Sequence, residues 1–132
     1  MSARILIIED NAANLELLRY LLAFNGYEVL LACDGLEGVA TALQQRPDLI
    51  LCDLQMPGLD GYQVLAQLRE QVDAVILAVT AFSMPHDQEN VMQAGFNGYF
   101  SKPIDPETFV SQIEQFLPPA LRSTARPPPA GN

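Results

Sequence analysis

Short aliphatic and β-branched segments alternate five times with segments of helical periodicity, and this alternation restricts the fold more than any other feature. The apolar segments cover residues 4–8, 27–31, 48–52, 74–79 and 98–100. Strands that alternate with helices are typical of α/β domains with a parallel sheet. Two segments, LILC and VILAV, are apolar without interruption, which indicates strands covered on both faces. The sequence therefore predicts a five-stranded parallel sheet between two layers of helices, with right-handed crossovers.

The predicted helices carry start and stop signals of their own. In the first helix, Asn11 suits the N-cap and Asn25-Gly26 suits the stop. Three leucines share its inner face: Leu15, Leu18 and Leu22. The last helix is predicted over residues 106–117, with Pro106 in its first turn. Both helices should pack an apolar stripe against the sheet.

Composition excludes several classes of protein. The chain has 132 residues, 49% of them hydrophobic, which is enough for one globular core. Seven Lys and Arg against sixteen Asp and Glu give a net charge of −9, so direct nucleic-acid binding is not expected. No apolar run approaches the roughly 18 residues of a membrane span, and we expect a cytoplasmic protein without a membrane segment. Cys33 and Cys52 lack metal-ligand spacing, and both are expected to be small core residues.

The chain divides into one folded unit and a tail. The predicted domain covers residues 1–118, and no internal repeat interrupts it. Residues 119–132 are rich in proline and poor in apolar side chains, so we predict a disordered tail there. Whether this tail is a natural end or the start of a linker stays open.

Polar residues stand where four of the apolar segments end. They are Glu9-Asp10, Asp53, Thr80 and Lys102. If the segments are strands of one parallel sheet, these side chains converge at one edge and form a single acidic pocket. Carboxylates are the ligands that Mg²⁺ prefers, and an ionised carboxylate such as Asp53 can attack phosphorus to give an acyl phosphate. Lys102 can neutralise charge on a phosphoryl group, and the Thr80 hydroxyl can donate a hydrogen bond to it.

Each of these residues also has a plain structural interpretation. Asp53 alone would suit a solvated loop, and Glu9-Asp10 would suit a helix entry near the positive end of the dipole. Thr80 could be a strand-end cap and Lys102 a loop lysine. It is their shared position at one sheet edge that favours a functional site. The turn of residues 56–61 follows directly after Asp53, and we predict a positive φ for Gly61 at the start of the next helix.

With these residues in view, the chain resembles the receiver domains of two-component response regulators over residues 3 to about 117. The resemblance rests on the segments IIEDN, DLQMPGLDGYQ, VTAFS and YFSKPID. It implies a doubly wound sheet of order 2-1-3-4-5 with five helices, as in flavodoxin-like folds. It also implies that a histidine kinase or histidine phosphotransfer protein phosphorylates Asp53. For Mg²⁺ it implies Asp10 and Asp53 as ligands, Glu9 through water, and the backbone carbonyl of Gln55.

The resemblance further implies a switch made of Thr80 and Tyr99. Phosphorylation would pull Thr80 toward the phosphoryl group and let Tyr99 turn inward, which shifts an existing equilibrium. The surface of the fourth helix, fifth strand and fifth helix would then bind a protein target. The chain would be a monomer or a phosphorylation-dependent dimer. Gln55 and Phe82 occupy positions that modulate phosphoryl lifetime in the family, and bulky Phe82 leads us to expect slow dephosphorylation.

Other functions stay open at this point. The chain could be a stand-alone signalling switch, which is not an enzyme beyond its own phosphorylation and dephosphorylation, or the detached receiver of a hybrid histidine kinase. A Mg²⁺-dependent phosphohydrolase with an Asp nucleophile usually has a second acid two residues later, where this chain has Gln55. A flavin protein would require a Ser/Thr/Gly-rich phosphate loop after the first strand, and EDNAAN does not supply one.

Overall fold

Five parallel strands form one sheet in the computed structural model, which describes residues 3–81 and 84–122. The strands are β1 (Arg4–Ile8), β2 (Glu28–Ala32), β3 (Leu49–Asp53), β4 (Val75–Thr80) and β5 (Gly98–Ser101). Their spatial order is β2-β1-β3-β4-β5, and every neighbouring pair is parallel. The predicted strand order and fold class are therefore confirmed. Each predicted strand lies within one residue of its observed bounds.

Four α-helices connect successive strands, and a fifth follows β5: α1 (Ala12–Phe24), α2 (Gly35–Gln45), α3 (Gly61–Leu68), α4 (Pro85–Ala94) and α5 (Phe109–Glu114). The prediction for the last helix was too long at both ends. At its start, the Asp105 carboxylate accepts the Glu107 N–H at 2.9 Å, which holds residues 106–108 in a turn. At its end, the backbone hydrogen bonds join residues three apart instead of four, as in a 3-10 helix. The Phe116 N–H, for example, donates to the Ile113 carbonyl at 2.9 Å.

The sheet separates two apolar layers. Side chains of α1 and α5 pack with one face of the sheet, and side chains of α2, α3 and α4 pack with the other. Every residue of β3 is buried, as expected for the strand at the centre of a doubly covered sheet. Its last residue, Asp53, is a buried carboxylate at the carboxyl edge of this layer.

The predicted helix signals at α1 are confirmed. The Asn11 side chain accepts the Asn14 N–H at 3.0 Å, and Asn25 is the C-cap with Gly26 following at φ 90°. At α3 the structure adds a capping box that was not predicted. The Asp60 carboxylate accepts the Gln63 N–H at 2.9 Å, and the Gln63 side chain accepts the Asp60 N–H at 2.9 Å.

The prediction of a positive φ at Gly61 was wrong. The positive φ in this turn belongs to Gly58, at 78°, while Gly61 begins α3. Gly61 is required for a different reason, because a Cβ atom there would lie 2.7 Å from the Asp53 carbonyl oxygen and 2.8 Å from Leu54 Cα. The start of α3 thus packs directly on the backbone of the Asp53 strand end.

The two cysteines differ in environment. Cys52 is buried, as predicted, and burial raises the pKa of its thiol, with the nearby Asp53 carboxylate adding to the effect. The prediction for Cys33 was wrong, because it follows the edge strand β2 and is exposed. Its N–H donates to the Glu37 carboxylate at 2.6 Å, so the Cys33 backbone is hydrogen-bonded to the first turn of α2.

The two ends of the described chain meet at the amino edge of the sheet. A 3-10 helix at Pro119–Leu121 follows α5, and the Ala3 N–H donates to the Leu121 carbonyl at 3.0 Å. The first residues of the predicted tail are therefore part of the folded structure. Residues 123–132 lie outside the described residues, as does Phe82, so the predictions for them stay predictions. Across the described ranges, no helix combines the length and apolar character needed to cross a membrane.

Candidate functional site

The predicted site residues come together at the carboxyl edge of the sheet. Asp53 ends β3 and Thr80 ends β4, while Glu9-Asp10 follow β1 and Lys102 follows β5. These four strands are contiguous in the sheet, and their parallel direction brings all four ends to one side. The edge strand β2 contributes no residue to this set. The convergence expected from the sequence thus results from strand order and strand direction alone.

Lys102 bridges two buried carboxylates in this pocket. Its Nζ lies 3.1 Å from Glu9 Oε1 and 3.2 Å from Asp53 Oδ2. The carboxylate side chains of Glu9 and Asp53 are 1% and 3% exposed, and the Lys102 side chain is 22% exposed. Burial lowers the pKa of the Lys102 ammonium, but the two carboxylates outweigh burial and raise it overall. Lys102 is therefore a permanent cation at the acidic centre.

The Glu9 carboxyl is buried beside a second carboxylate, and Lys102 does not offset their effect on its pKa. The pKa of the Glu9 carboxyl is raised to about 7, first by burial and then by the neighbouring Asp53 carboxylate. The Asn11 N–H, which donates to Glu9 Oε2 at 3.1 Å, and the Lys102 ammonium act in the opposite direction. A carboxyl in this situation gains from any additional cation brought beside it.

Asp53 is held by groups from two neighbouring segments. The Gln55 N–H donates to Asp53 Oδ1 at 3.1 Å, while Lys102 contacts Oδ2. Thr80 is buried on the adjacent strand, and its carbonyl accepts the Lys102 N–H at 2.8 Å. The peptide bond after Lys102, to Pro103, is cis. The arrangement fixes one carboxylate between a cation and a backbone donor, and a hydroxyl-bearing residue ends the next strand.

Three carboxylates at this edge form a donor set for a divalent cation. One oxygen each of Glu9, Asp10 and Asp53 lies within 4.8 Å of the others. Asp10 is exposed whereas its two neighbours are buried, so the cluster opens to solvent on one side. Hard oxygen donors of this kind, together with the raised pKa of Glu9, fit a cation such as Mg²⁺.

Tyr99, the proposed switch residue, is half-buried in β5. It packs against the apolar layer on the α2–α4 side of the sheet, and β4 places Ala78 opposite it in the register. Its role in switching stays a prediction. His86 is exposed at the start of α4, where its Nε2 lies 3.3 Å from Asp87 Oδ1.

Sequence reasoning missed two supports of the pocket. The Asn11 N–H to the Glu9 carboxylate was not expected, although the position of Asn11 as N-cap of α1 gave a signal for it. The close packing of Gly61 on Asp53 had a weaker signal, since a glycine at a helix start has several explanations. Both supports fix backbone beside a carboxylate of the cluster.

Comparison with known proteins gives consistent matches in sequence. A sequence profile for the response regulator receiver domain matches residues 5–114. The polar-differentiation response regulator DivK of Brucella anthropi is 38% identical over 120 residues, covering 89% of this chain and 98% of DivK. DivK of Brucella ovis shows the same identity and coverage.

Solved structures agree with the sequence matches. The chemotaxis response regulator CheY4 of Vibrio cholerae has a TM-score of 0.83 at 29% identity, covering 89% of this chain and 100% of CheY4. The receiver domain of the sensor histidine kinase PA1611 of Pseudomonas aeruginosa, with a magnesium ion coordinated in its active site cleft, has a TM-score of 0.80 at 35% identity. That match covers 88% of this chain and 98% of the receiver domain. In sequence and in fold, the chain belongs to the response regulator receiver domain family.

Proposed function

We propose that the chain works by accepting a phosphoryl group on Asp53 from a phosphohistidine of a histidine kinase or histidine phosphotransfer protein. The observation that carries this proposal is the buried Asp53 carboxylate, which lies 3.2 Å from Lys102 within a cluster of three acids. A carboxylate desolvated in this way and fixed by a cation suits nucleophilic attack on phosphorus. With a net charge of −9, the expected partners are proteins rather than nucleic acids.

The transfer step exchanges one phosphorus bond for another. A carboxylate oxygen of Asp53 forms the new O–P bond as the N–P bond of phosphohistidine breaks, and the bonding electron pair stays on the imidazole nitrogen. Lys102 offsets the negative charge on the phosphoryl oxygens, and the Gln55 N–H holds the acceptor carboxylate in orientation. Lys102 does this without giving up a proton, because its pKa is raised.

A divalent cation would be held by Asp10, Asp53 and the Gln55 carbonyl, with Glu9 acting through water. When bound, Mg²⁺ supplies charge neutralisation for the phosphoryl oxygens. The fit of the donor set and the magnesium in the cleft of the PA1611 receiver domain support this assignment. The position two residues after Asp53 is Gln55, which offers no acid for general acid catalysis, so a phosphohydrolase acting on other substrates is not favoured.

Thr80 and Tyr99 would transmit the modified state. The Thr80 hydroxyl would donate a hydrogen bond to a phosphoryl oxygen, and Tyr99 would move inward from its half-buried position in β5. Because β5 lies at the sheet edge beside α4 and α5, a change at Tyr99 alters the surface offered to a protein target. The chain in this proposal is a signalling switch whose chemistry is limited to gaining and losing its own phosphoryl group.

Intact mass spectrometry after incubation with Mg²⁺ and acetyl phosphate tests the acceptor assignment. The wild type should gain one phosphoryl adduct, and Asp53→Asn should gain none because an amide oxygen is a poor nucleophile. Asp73→Asn removes an exposed acid at the opposite edge of the sheet and is the matched control, expected to behave as wild type. An adduct of equal abundance in Asp53→Asn would contradict the proposal.

A further inference from the structure

A second concave site lies beside the acidic pocket of Glu9, Asp10 and Asp53 and shares Gln55 with it, while its other lining residues take no part in the chemistry above. It is a groove of about 500 Å³ between the loop that follows β3 and the first turn of α4. Its apolar lining includes Leu54, Met56 and Pro57, and its polar lining includes Asp60 and Asp87. An apolar surface with two carboxylates suits a ligand that combines an aliphatic stem with a positive charge.

Tyr62 forms an aromatic wall of this groove. Its ring packs edge-to-face on Phe96 with centroids 5.9 Å apart and an interplanar angle of 73°, while 36% of the residue remains exposed. The pKa of the phenol is raised, first by burial and then by the charges of Asp87 and Asp60. Both carboxylates therefore act on the same ring, although they come from different elements of the fold.

No described lysine or arginine forms an ion pair with the two carboxylates of this groove. Lys102 is engaged by Glu9 and Asp53. The described arginines contact groups elsewhere: Arg4 with Glu28, Arg19 with Glu16, Arg46 with the Gln71 carbonyl, Arg69 with the Gly95 carbonyl and Arg122 with the Leu117 carbonyl. His86 contacts Asp87 at 3.3 Å but carries charge only when protonated, and its side chain is 74% exposed.

We propose that this groove receives an arginine side chain presented by a partner protein. A planar guanidinium forms charge-assisted hydrogen bonds with carboxylates and stacks on aromatic rings, whereas a lysine ammonium is a compact, strongly hydrated point charge. The aliphatic stem of the arginine packs against Met56 and Pro57, and the guanidinium lies beside Tyr62 within reach of Asp60 and Asp87. The net charge of −9 favours a basic partner segment over a second copy of this chain.

Methyl NMR offers a direct test, because only four methionines are present and Met56 lines the groove. The protein is labelled with [methyl-¹³C]methionine and titrated at a pH of about 8, where an ordinary histidine is neutral. The probes are the blocked tripeptides Gly-Arg-Gly, Gly-Lys-Gly and Gly-citrulline-Gly, citrulline being the uncharged analogue of arginine. Met92, which is exposed on α4 and does not line the groove, is the internal reference.

The arginine peptide should shift the Met56 methyl signal saturably and leave Met92 unchanged. It should bind at least about fivefold more tightly than the citrulline peptide, and more tightly than the lysine peptide. Equal affinity for arginine and citrulline, or equal affinity for arginine and lysine, would overturn the assignment of a guanidinium site. The absence of a saturable Met56 shift would overturn the proposal that this groove is a binding site.

Variants locate the interaction. Asp87→Asn should weaken binding of the arginine peptide about fivefold, while Glu89→Gln removes an exposed acid of the same helix outside the groove and should change nothing. Asp73→Asn, which removes an exposed acid at the opposite edge of the sheet, should also leave the Met56 shift intact. Loss of the shift in Asp73→Asn, or equal losses in Asp87→Asn and Glu89→Gln, would contradict the proposal. These outcomes do not depend on whether Asp53 accepts phosphate.

Discussion

At the scale of single residues, the pocket depends on how closely backbone segments approach Asp53. Gly61 permits the first turn of α3 to pack against the Asp53 carbonyl, and Gly98 meets the Phe116 ring instead. The two glycines therefore differ in what a methyl group would displace. Backbone of a central strand has little freedom to move, whereas the end of a half-buried ring can rotate.

Gly61→Ala should lower the free energy of unfolding by about 1–3 kcal/mol, as overpacking against rigid atoms does. Gly98→Ala, where the hypothetical Cβ is 2.6 Å from the far end of the Phe116 ring, should cost less because the ring gives way. Urea denaturation of both variants measures the difference. If Gly98→Ala is as destabilising as Gly61→Ala, then contact with strand backbone is not the deciding factor.

Residue-scale features were also the hardest to predict from sequence. The space required at Gly61 depends on the return of a loop onto β3, which is a tertiary contact with no local signal. Cys33 was expected inside because cysteine is often buried, yet its place after an edge strand exposes it. The convergence of Glu9, Asp53 and Lys102 was predictable, since strand ends of a parallel sheet share one edge.

At the scale of elements, α4 is the least anchored helix of the fold. Val91 is its only buried residue, and its N-cap, Met84, makes no side-chain cap hydrogen bond. By contrast, α3 has a capping box and four buried residues. Elements with few buried apolar side chains open locally at low free-energy cost. The helix that borders the proposed output surface is thus the one held by the fewest contacts with the core.

Hydrogen exchange followed by mass spectrometry should find α4 amides exchanging faster than those of α3, and β3 amides slowest of all. The physical reason is that opening α4 exposes one core side chain, while opening β3 disrupts both apolar layers. Because the two helices have similar lengths, intrinsic fraying affects them comparably. Equal protection of α3 and α4 would argue against this ranking.

Elements were predicted well where apolar periodicity decides them and less well where side-chain hydrogen bonds do. All five strands follow from uninterrupted or alternating apolar runs. The length of α5 was overestimated because its start is set by the Asp105 carboxylate and its end by tightened backbone bonds. Neither feature alters the apolar stripe from which the helix was predicted.

At the scale of the whole molecule, excess negative charge couples stability to cations. The chain carries a net charge of −9, and three acids of the candidate metal site lie within 4.8 Å of one another. A cation that binds only the folded state stabilises it by mass action. At a free Mg²⁺ concentration of about 100 Kd the gain is about 2.7 kcal/mol, or a rise in Tm of about 10 °C for a domain of this size.

Thermal unfolding followed by circular dichroism measures this coupling. The wild type should respond to Mg²⁺, and Asp10→Asn should respond much less because it removes an exposed carboxylate of the cluster. Glu70→Gln removes an exposed acid elsewhere, and NaCl at matched ionic strength reports general screening. If NaCl raises Tm as much as Mg²⁺ does, the stabilisation is not site-specific.

The hydrogen bond between Ala3 and Leu121 determines where a tether or a label can be attached to this molecule. It places both ends of the described fold at the amino edge of the sheet, while Asp53 lies at the carboxyl edge, about one strand length or 16 Å away. A surface tether or fluorophore joined near residue 3 or residue 121 would therefore leave the acidic pocket facing solution. The same proximity allows a short linker to join these two positions in a circular permutant, with the pocket untouched.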